Sequence, residues 1–249
     1  MSKIIEAKNI SKFFKDNKAV ENLSFEIEEG EIFGIVGPDG SGKTTTVRML
    51  AGVMDSTAGV ISVNGFNMHD NAEKIKSFIG YMPQRFSLYD DLTVEENIIF
   101  FADLYSISYK NRIARMNELY KFSHLEKFKN RLAQNLSGGM QKKLALTCSL
   151  INFPKILILD EPTIGVDPLS RQELWEILLE LNKQEGITIL FTTSYMDEVE
   201  RCNKVGLLYN GRFLLQDNIS SIIKKDISFE KIFISEIEKV ARQNGFSRS

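Results

Sequence analysis

The chain has 249 residues, of which 43% are hydrophobic, and this is enough for one large α/β domain with its own core. Its formal net charge of -2 argues against nucleic acid as a partner, because binding to a phosphate backbone needs a clear excess of lysine and arginine on one face. Cys148 and Cys202 stand singly in apolar or mixed segments, which predicts buried reduced thiols rather than disulfides.

The apolar segments of the chain are short. Residues 1–9 alternate like a β-strand and carry no apolar signal-peptide region. The longest unbroken apolar runs, at 98–102 and 156–159, are far below the ~20 residues that cross a bilayer. We therefore expect any link to a membrane to come through a partner protein.

The hydrophobic patterns divide the chain into a strand-rich first part, a helical middle and an alternating last part. Strands are predicted at 4–7, 25–28, 31–36, 60–63, 155–159 and 187–193. Helical spacing runs from Gly42 to Gly52 and through most of 93–150. Another helix is predicted to begin after Asp167-Pro168 and to end at Gly186. The polar tail from Lys224 has one apolar patch, at 229–237.

Residues 37–44 read GPDGSGKT and fit the pattern GxxxxGK[ST] between a predicted strand and a predicted helix. Glycines let successive backbone N–H groups surround phosphate oxygens, and the helix start adds partial positive charge. In this pattern Lys43 reaches the β- and γ-phosphates, and Thr44 can bind Mg²⁺. A plain glycine turn would not explain the lysine and the threonine, so we predict a site for ATP and Mg²⁺.

Two carboxylates, Asp160 and Glu161, directly follow the apolar run 156–159. Asp160 is expected at the carboxyl end of a parallel strand, where open α/β sheets bind ligands, and it can hold Mg²⁺ there. Because side chains alternate along an extended chain, Glu161 can point elsewhere and act as the base for the water that attacks the γ-phosphate. Alone this pair would be an ordinary polar strand end, but the phosphate loop favours the catalytic interpretation.

A second anion-binding helix start is predicted at 136–140, which reads LSGGM. A serine N-cap alone is common. The paired glycines Gly138 and Gly139, however, leave bare backbone N–H groups beside the Ser137 hydroxyl, and such groups bind anions. Because the γ-phosphate of one nucleotide is already held by the first site, the expected ligand is the nucleotide of a second chain.

The phosphate loop, the LSGG segment and the segment ILILDEP at 156–162, in this order, resemble the ATPase domain of ABC transporters over roughly the whole chain. The resemblance implies an α/β fold: a P-loop NTPase core of the ABC ATPase type, with a mixed sheet, an antiparallel N-terminal β part and an inserted α-helical subdomain. It also implies domain boundaries, which are about 1–87 and 154–220 for the nucleotide-binding core, about 88–153 for the helical subdomain and about 221–249 for a small C-terminal extension.

The same resemblance implies roles for individual residues. Phe14 would stack on adenine, Gln84 would sense Mg²⁺, and Asp167 would lie on a loop that faces a second subunit in a head-to-tail dimer. The expected nucleotide-binding residues are Phe14, Gly37, Pro38, Asp39, Gly40, Ser41, Gly42, Lys43, Thr44, Thr45, Ser137, Gly138, Gly139 and Asp167. The expected catalytic residues are Glu161, Ser194 and Gln84, and the expected Mg²⁺ ligands are Thr44, Gln84 and Asp160.

Two positions depart from the family pattern. Met140 stands where glutamine is usual, but a methionine on the helix leaves the serine and glycine donors unchanged. Ser194 stands where the family has a histidine that touches the γ-phosphate. A serine hydroxyl is shorter and cannot be charged, which predicts partly impaired hydrolysis.

The segments 80–97 and 165–171 resemble the bacterial branch that pairs with export permeases for drugs and similar apolar compounds. In that interpretation Phe86, Leu88 and Tyr89 form part of a groove for a cytoplasmic helix of the permease, although packing within the helical lobe is the alternative. We expect a peripheral ATPase on the cytoplasmic side of a membrane, held there by the permease.

Two other functions stay open. One is a soluble ABC-type ATPase acting on DNA or ribosomes, although its usual long coiled coil or second ATPase domain is missing from this sequence. The other is a regulatory nucleotide-binding subunit that barely hydrolyses ATP, which Ser194 alone supports. Whether the dimer contains two identical chains also stays open.

Overall fold

The computed structural model describes residues 2–85, 88–222 and 229–243, and the chain divides into two compact units. The first unit comprises Met1–Ile75 and Ile189–Ser249, and the second comprises Lys76–Thr188. In chain order the described helices and strands are β1 (Lys3–Phe14), β2 (Asn17–Glu28), β3 (Ile32–Val36), α1 (Lys43–Leu50), β4 (Ala58–Val63), β5 (Phe66–Asn67), α2 (Met68–Lys76), β6 (Ile79–Met82), α3 (Val94–Leu104), α4 (Tyr109–Ser123), α5 (Gly138–Ser149), β7 (Ile156–Asp160), α6 (Pro168–Glu185), β8 (Thr188–Thr193), β9 (Lys204–Tyr209), β10 (Arg212–Asn218), α7 (Ile219–Ile222) and α8 (Phe229–Gln243).

The first unit contains an antiparallel sheet with the strand order β2-β1-β4-β5. The predicted strands at 4–7 and 25–28 were too short, because β1 and β2 are each 12 residues long. Their pairing shifts register between Ala7 and Ile10, and Asn9 has a positive φ of 50° there. A bulge of this kind breaks the period-two alternation on which the sequence prediction depended.

The parallel strands of the first unit position two loops that matter for the site. All residues of β3 are buried, and β3 pairs in parallel with β8 and with β9. Val36 is directly opposite Thr193 in the register of β3 and β8. The loops that follow these two strands therefore leave from the same edge.

The second unit contains the parallel pair β6 and β7 and the helices α3 to α6. The predicted helix after Asp167-Pro168 is confirmed: Asp167 is the N-cap of α6, and Gly186 ends it with a φ of 67°. The predicted helical middle is confirmed by α3, α4 and α5. No helix among the described residues is both long and apolar enough to cross a membrane.

Both cysteines are free and buried, as predicted. Burial raises the pKa of the Cys202 thiol to about 12, and it also raises the pKa of Cys148 well above its ordinary value. Neither thiol is therefore a reactive thiolate at neutral pH.

A buried arginine ties three helices of the second unit together. The Arg115 side chain, on α4, is 2% exposed and forms two hydrogen bonds of 3.1 Å with the carboxylate of Glu185 at the end of α6. Its Nε donates to the carbonyl of Leu150, at the end of α5, over 3.3 Å. Glu118 is a further partner at 3.2 Å, but this side chain is 54% exposed.

The Glu185→Leu substitution is expected to lower the free energy of unfolding by about 2–3 kcal/mol, because it leaves a buried guanidinium without its two-point partner. Glu118→Leu is the matched control, and it should change that free energy by less than about 1 kcal/mol because its ion pair is exposed. Urea unfolding of both variants measures the difference. Equal losses of the free energy of unfolding in the two variants would show that the Arg115–Glu185 pair stabilises the fold no more than the exposed Arg115–Glu118 pair does.

Candidate nucleotide site

The phosphate loop connects β3 to α1, and the fold itself requires two of its glycines. A Cβ atom on Gly37 would lie 2.1 Å from the carbonyl oxygen of Leu208. Gly42 has a φ of 106°, and a Cβ there would lie 2.4 Å from the carbonyl oxygen of Ala19. At Gly40, by contrast, φ is 77° and no described atom lies within 4 Å of the Cβ position, so this side of the loop is open.

Polar groups of the loop are arranged for an anionic ligand. Lys43 is 4% exposed, and its Nζ donates to the carbonyls of Gly37 at 2.8 Å and Pro38 at 3.0 Å. The carboxylate of Asp39 lies 3.9 Å from the same nitrogen. The buried Ser41 Oγ has no hydrogen-bond partner among the described residues. An ammonium, a spare hydroxyl and a helix start without a side-chain cap together fit a phosphate.

Ser194 lies in the loop that leaves the sheet edge beside the phosphate loop. The backbone N–H of Gly37 donates to the carbonyl of Thr193 over 3.2 Å, in line with the pairing of Val36 with Thr193. Ser194 is the next residue and is half-buried. The first unit thus places Ser194 and the phosphate loop at one edge.

In the second unit, Asp160 ends strand β7 and Glu161 directly follows it. Asp160 is 0% exposed and Glu161 is 5% exposed. Glu161 has a φ of 49°, a left-handed backbone conformation that is uncommon for a residue other than glycine and tends to occur at functional sites. Gln84, which follows β6, donates from Nε2 to Glu161 Oε2 over 2.9 Å. The structure therefore brings together two of the three predicted catalytic residues.

Lys142, on α5, is a charged residue near this pair that the sequence interpretation missed. It is 7% exposed, and burial lowers its pKa to about 8, while the charges of Glu161 and Asp160 oppose that shift. No sequence signal pointed to it, because the LSGGM segment was considered only for its serine and glycines.

Gly138 and Gly139, the two residues after Ser137, differ in the space that surrounds their Cβ positions. Ser137 is the N-cap of α5 and accepts from the Met140 N–H over 3.3 Å. A Cβ on Gly139 would lie 2.3 Å from Ser170 Oγ, so internal packing explains this glycine. A Cβ on Gly138 would meet no described atom within 4 Å. Packing within the described chain does not explain Gly138, and its backbone is open to a ligand from outside.

Three further predicted residues, Phe14, Asp167 and Tyr89, are exposed. Phe14 is 44% exposed at the end of β1, where Lys12 Nζ lies 5.4 Å from the ring centre. Asp167 is exposed and accepts from the Ser170 N–H over 3.0 Å, which lowers the pKa of its carboxyl group. Tyr89 is 42% exposed and packs its ring 4.4 Å from that of Phe100, and Leu88 is half-buried. Phe86 lies outside the described residues.

The side chains that were predicted to bind Mg²⁺ are Thr44 in the first unit and Asp160 and Gln84 in the second, and each carries a hard oxygen atom of the kind that this ion prefers. Among the described residues no group of three or more histidine, cysteine, aspartate or glutamate side chains could hold a metal ion by itself. Magnesium ions in phosphate-transferring sites commonly take one or two protein ligands and complete their shell with phosphate and water.

A glycine loop between a buried parallel strand and a helix, with its lysine at the helix start, defines a P-loop nucleotide-binding domain. A family model described as ABC transporter matches residues 20–164, more than half of the chain. This chain belongs to the ABC transporter family. The predicted family is therefore confirmed.

Known proteins support the same assignment. The probable multidrug ABC transporter ATP-binding protein YbhF of Escherichia coli (strain K12) is 48% identical over 81% of this chain and 35% of its own length, so this chain spans about a third of that relative. The linearmycin resistance ATP-binding protein LnrL of Bacillus subtilis (strain 168) is 35% identical over 85% of this chain and 68% of its own. A solved dimeric ATP-binding cassette in a post-hydrolysis state, with ADP and Pi, has a TM-score of 0.78 at 28% identity, over 86% of this chain and 98% of that one. The predicted fold class and the assignment of an ATPase domain are confirmed.

The Gly138→Ala variant is expected to be as stable as the wild type, or more stable by up to about 1 kcal/mol, because alanine favours the helix and has space here. Gly139→Ala should be less stable by about 1–3 kcal/mol, because its methyl group would overlap with Ser170. Urea unfolding of the two variants measures both free energies. A destabilised Gly138→Ala variant would mean that the fold, and not an outside ligand, requires this glycine.

Proposed function

We propose that this chain is the ATP-hydrolysing subunit of an ABC exporter, which drives a membrane permease for drugs or other apolar compounds. The observation that carries the proposal is the phosphate loop, in which Lys43 and the spare Ser41 hydroxyl are arranged for a polyphosphate. Membership of the ABC transporter family supports the coupling to transport. Cytoplasmic attachment through the permease belongs to the same proposal.

In this proposal Lys43 moves from the carbonyls of its own loop to the β- and γ-phosphates, and the backbone N–H groups of 37–44 surround the remaining oxygens. Phe14 stacks on the adenine. Thr44, Asp160 and Gln84 hold Mg²⁺, which supplies positive charge to the phosphates when it is bound. Glu161 accepts a proton from the attacking water.

The hydrogen bond between Gln84 and Glu161 supports the role of Glu161 as a base. An amide N–H that donates to Oε2 restricts the rotation of the carboxylate that would accept the proton. Because Gln84 is exposed and sits in the loop after β6, a partner that moves this loop would also move the base. This gives a physical route by which a permease could control hydrolysis.

We further propose a head-to-tail dimer in which Ser137, Gly138 and Gly139 bind the nucleotide of the second chain. The open backbone at Gly138 supports this role, since a phosphate that approaches from outside would meet no side chain there. Asp167, on the exposed loop before α6, would face the second chain. Whether that chain is identical is part of the test below.

The names of two relatives support export as the direction of transport. They are described as a multidrug transporter subunit and as a linearmycin resistance subunit. A subunit with little hydrolysis remains the second candidate, because Ser194 stands in the position of a histidine in the family. Turnover measured against nucleotide affinity separates the two.

Glu161→Gln is expected to retain MgATP binding and to lower turnover about 10²-fold or more, because the amide keeps the shape of the side chain but cannot accept the proton. With MgATP this variant should form a stable dimer in size-exclusion chromatography. Adding Gly138→Ala should remove the dimer while nucleotide binding remains. A Glu161→Gln variant that stays monomeric with MgATP would contradict a dimer of two identical chains, and near-normal turnover would contradict the role of Glu161.

The transporter function itself predicts a permease partner. Purification of the tagged Glu161→Gln chain from detergent-solubilised membranes of its own cells should recover a protein with several membrane-spanning helices. Addition of apolar compounds to that complex, made with the wild-type chain, should change the ATPase rate. Recovery of ribosomes or DNA-bound proteins in its place would favour a soluble ABC-type ATPase.

A further inference from the structure

A buried carboxylate lies behind the loop that carries Ser194. Glu198 is 0% exposed, and its Oε2 accepts a hydrogen bond of 2.6 Å from the Thr193 hydroxyl, which is itself in a residue 1% exposed. The same hydroxyl accepts a hydrogen bond of 3.0 Å from the backbone N–H of Tyr195. Thr193 and Tyr195 flank Ser194 on its two sides. The hydroxyl of Thr193 thus closes the turn in which Ser194 sits.

Glu198 is anchored on a rigid part of the first unit. It belongs to a 3-10 helix, Met196–Arg201, which packs against β3 and α8. The packing beside it is tight, because a Cβ on Gly34 of β3 would lie 2.9 Å from the Phe191 ring and 3.3 Å from Cys202 Sγ. The carboxylate of Glu198 is therefore a fixed point relative to the strand that leads into the phosphate loop.

The loop with Ser194 is also tied to the phosphate loop by backbone. Thr193 accepts the N–H of Gly37 through its carbonyl, over 3.2 Å, while its side chain binds Glu198. One residue thus joins the start of the phosphate loop, the turn at Ser194 and the buried acid. If the Thr193 side chain were displaced, Ser194 would change its orientation, although no group that contacts the nucleotide would be removed.

The chemistry of a buried acid suits the contact between Glu198 and the Thr193 hydroxyl. Burial of a carboxylate costs free energy that an apolar side chain of similar size would not cost. A charged acceptor does, however, make a shorter and more directional hydrogen bond than a neutral one. Such a bond suits a turn that must hold one hydroxyl group in a fixed place.

We propose that Glu198 is a positioning residue for ATP hydrolysis, which acts through the hydroxyl of Thr193 to fix the turn that presents Ser194 to the γ-phosphate. The inference rests on the proposed function of the phosphate loop and on the catalytic role that the family resemblance implies for Ser194. Glu198 and the side chain of Thr193 do not touch the nucleotide in this arrangement. Their loss should therefore affect the rate of hydrolysis more than the binding of MgATP.

The experiment measures kcat and the dissociation constant for MgATP in the full chain. Thr193→Val keeps the shape of a buried β-branched residue but removes the hydroxyl, and it should lower kcat about tenfold or more while the dissociation constant changes less than about threefold. Glu198→Leu should have the same effect. Thr193→Ser, which retains the hydroxyl, should restore kcat to within about threefold of the wild type.

A matched control is Thr147→Val on α5. Thr147 is also buried, and its hydroxyl donates one hydrogen bond of 2.7 Å, to the carbonyl of Lys143. This substitution deletes the same group from a site without a link to Ser194, so kcat should stay within about twofold of the wild type. If Thr147→Val also has a low kcat, the loss of kcat in Thr193→Val reflects a general loss of stability, and the proposal is overturned.

A double-mutant cycle tests whether the Thr193 hydroxyl, to which Glu198 is hydrogen-bonded, acts through Ser194. Ser194→Ala should be slow by itself, and adding Thr193→Val to it should cost less than about a further twofold, because the turn then has no hydroxyl to position. Additive losses, an unchanged Ser194→Ala variant, or a fast Thr193→Val variant would each overturn the inference while the ATPase function stands. Failure of the wild type to bind or hydrolyse MgATP would instead reject the proposed function. If Glu198→Leu does not fold, Glu198→Gln takes its place, because it removes the charge and keeps the shape of the side chain. A kcat equal to that of the wild type in Glu198→Gln would overturn the role of Glu198.

Discussion

The in-register parallel pairing of β3 with β8 is the constraint on which the first half of the site depends. Val36 lies opposite Thr193, so the phosphate loop and the loop with Ser194 leave the sheet at the same level. The N–H of Gly37 then binds the carbonyl of Thr193, and the absence of a side chain at Gly37 lets its backbone lie against Leu208. A shift of one residue would turn every side chain of the strand to the opposite face.

In the second unit, backbone strain at Glu161 and the hydrogen bond from Gln84 hold the Glu161 side chain in place. Glu161 adopts a left-handed conformation directly after a fully buried strand, and Gln84 holds one of its carboxylate oxygens. Strained residues persist only where the surroundings over-determine them. Here the surroundings are the buried strand β7 before Glu161 and the amide of Gln84. The geometry of Glu161 is therefore a property of the fold and does not need a ligand.

Glycines serve two different purposes in this chain, and their surroundings tell the two apart. Gly37, Gly42 and Gly139 are glycines because a methyl group would overlap with neighbouring atoms of the same chain. Gly40 and Gly138 face open space, so internal packing places no limit on their side chains. The positive φ of Gly40 still favours glycine, whereas Gly138 needs an explanation from outside the described chain. The proposed contact with the nucleotide of a second chain would provide one.

The sequence by itself determined the phosphate loop, the family, the fold class, the cap of α6 at Asp167 and the strands and helices with a regular pattern, because these depend on local patterns of residue type. It did not predict β5, β6, β9, β10, α2 or α7. It underestimated β1 and β2, since the bulge near Asn9 interrupts their alternation. Only the tertiary structure decided three contacts. Thr193 connects Glu198 to Gly37. Lys142 is buried near Asp160 and Glu161, and Arg115 binds Glu185. These contacts join residues from different strands, helices and loops, and their partners are chosen by packing rather than by spacing along the chain.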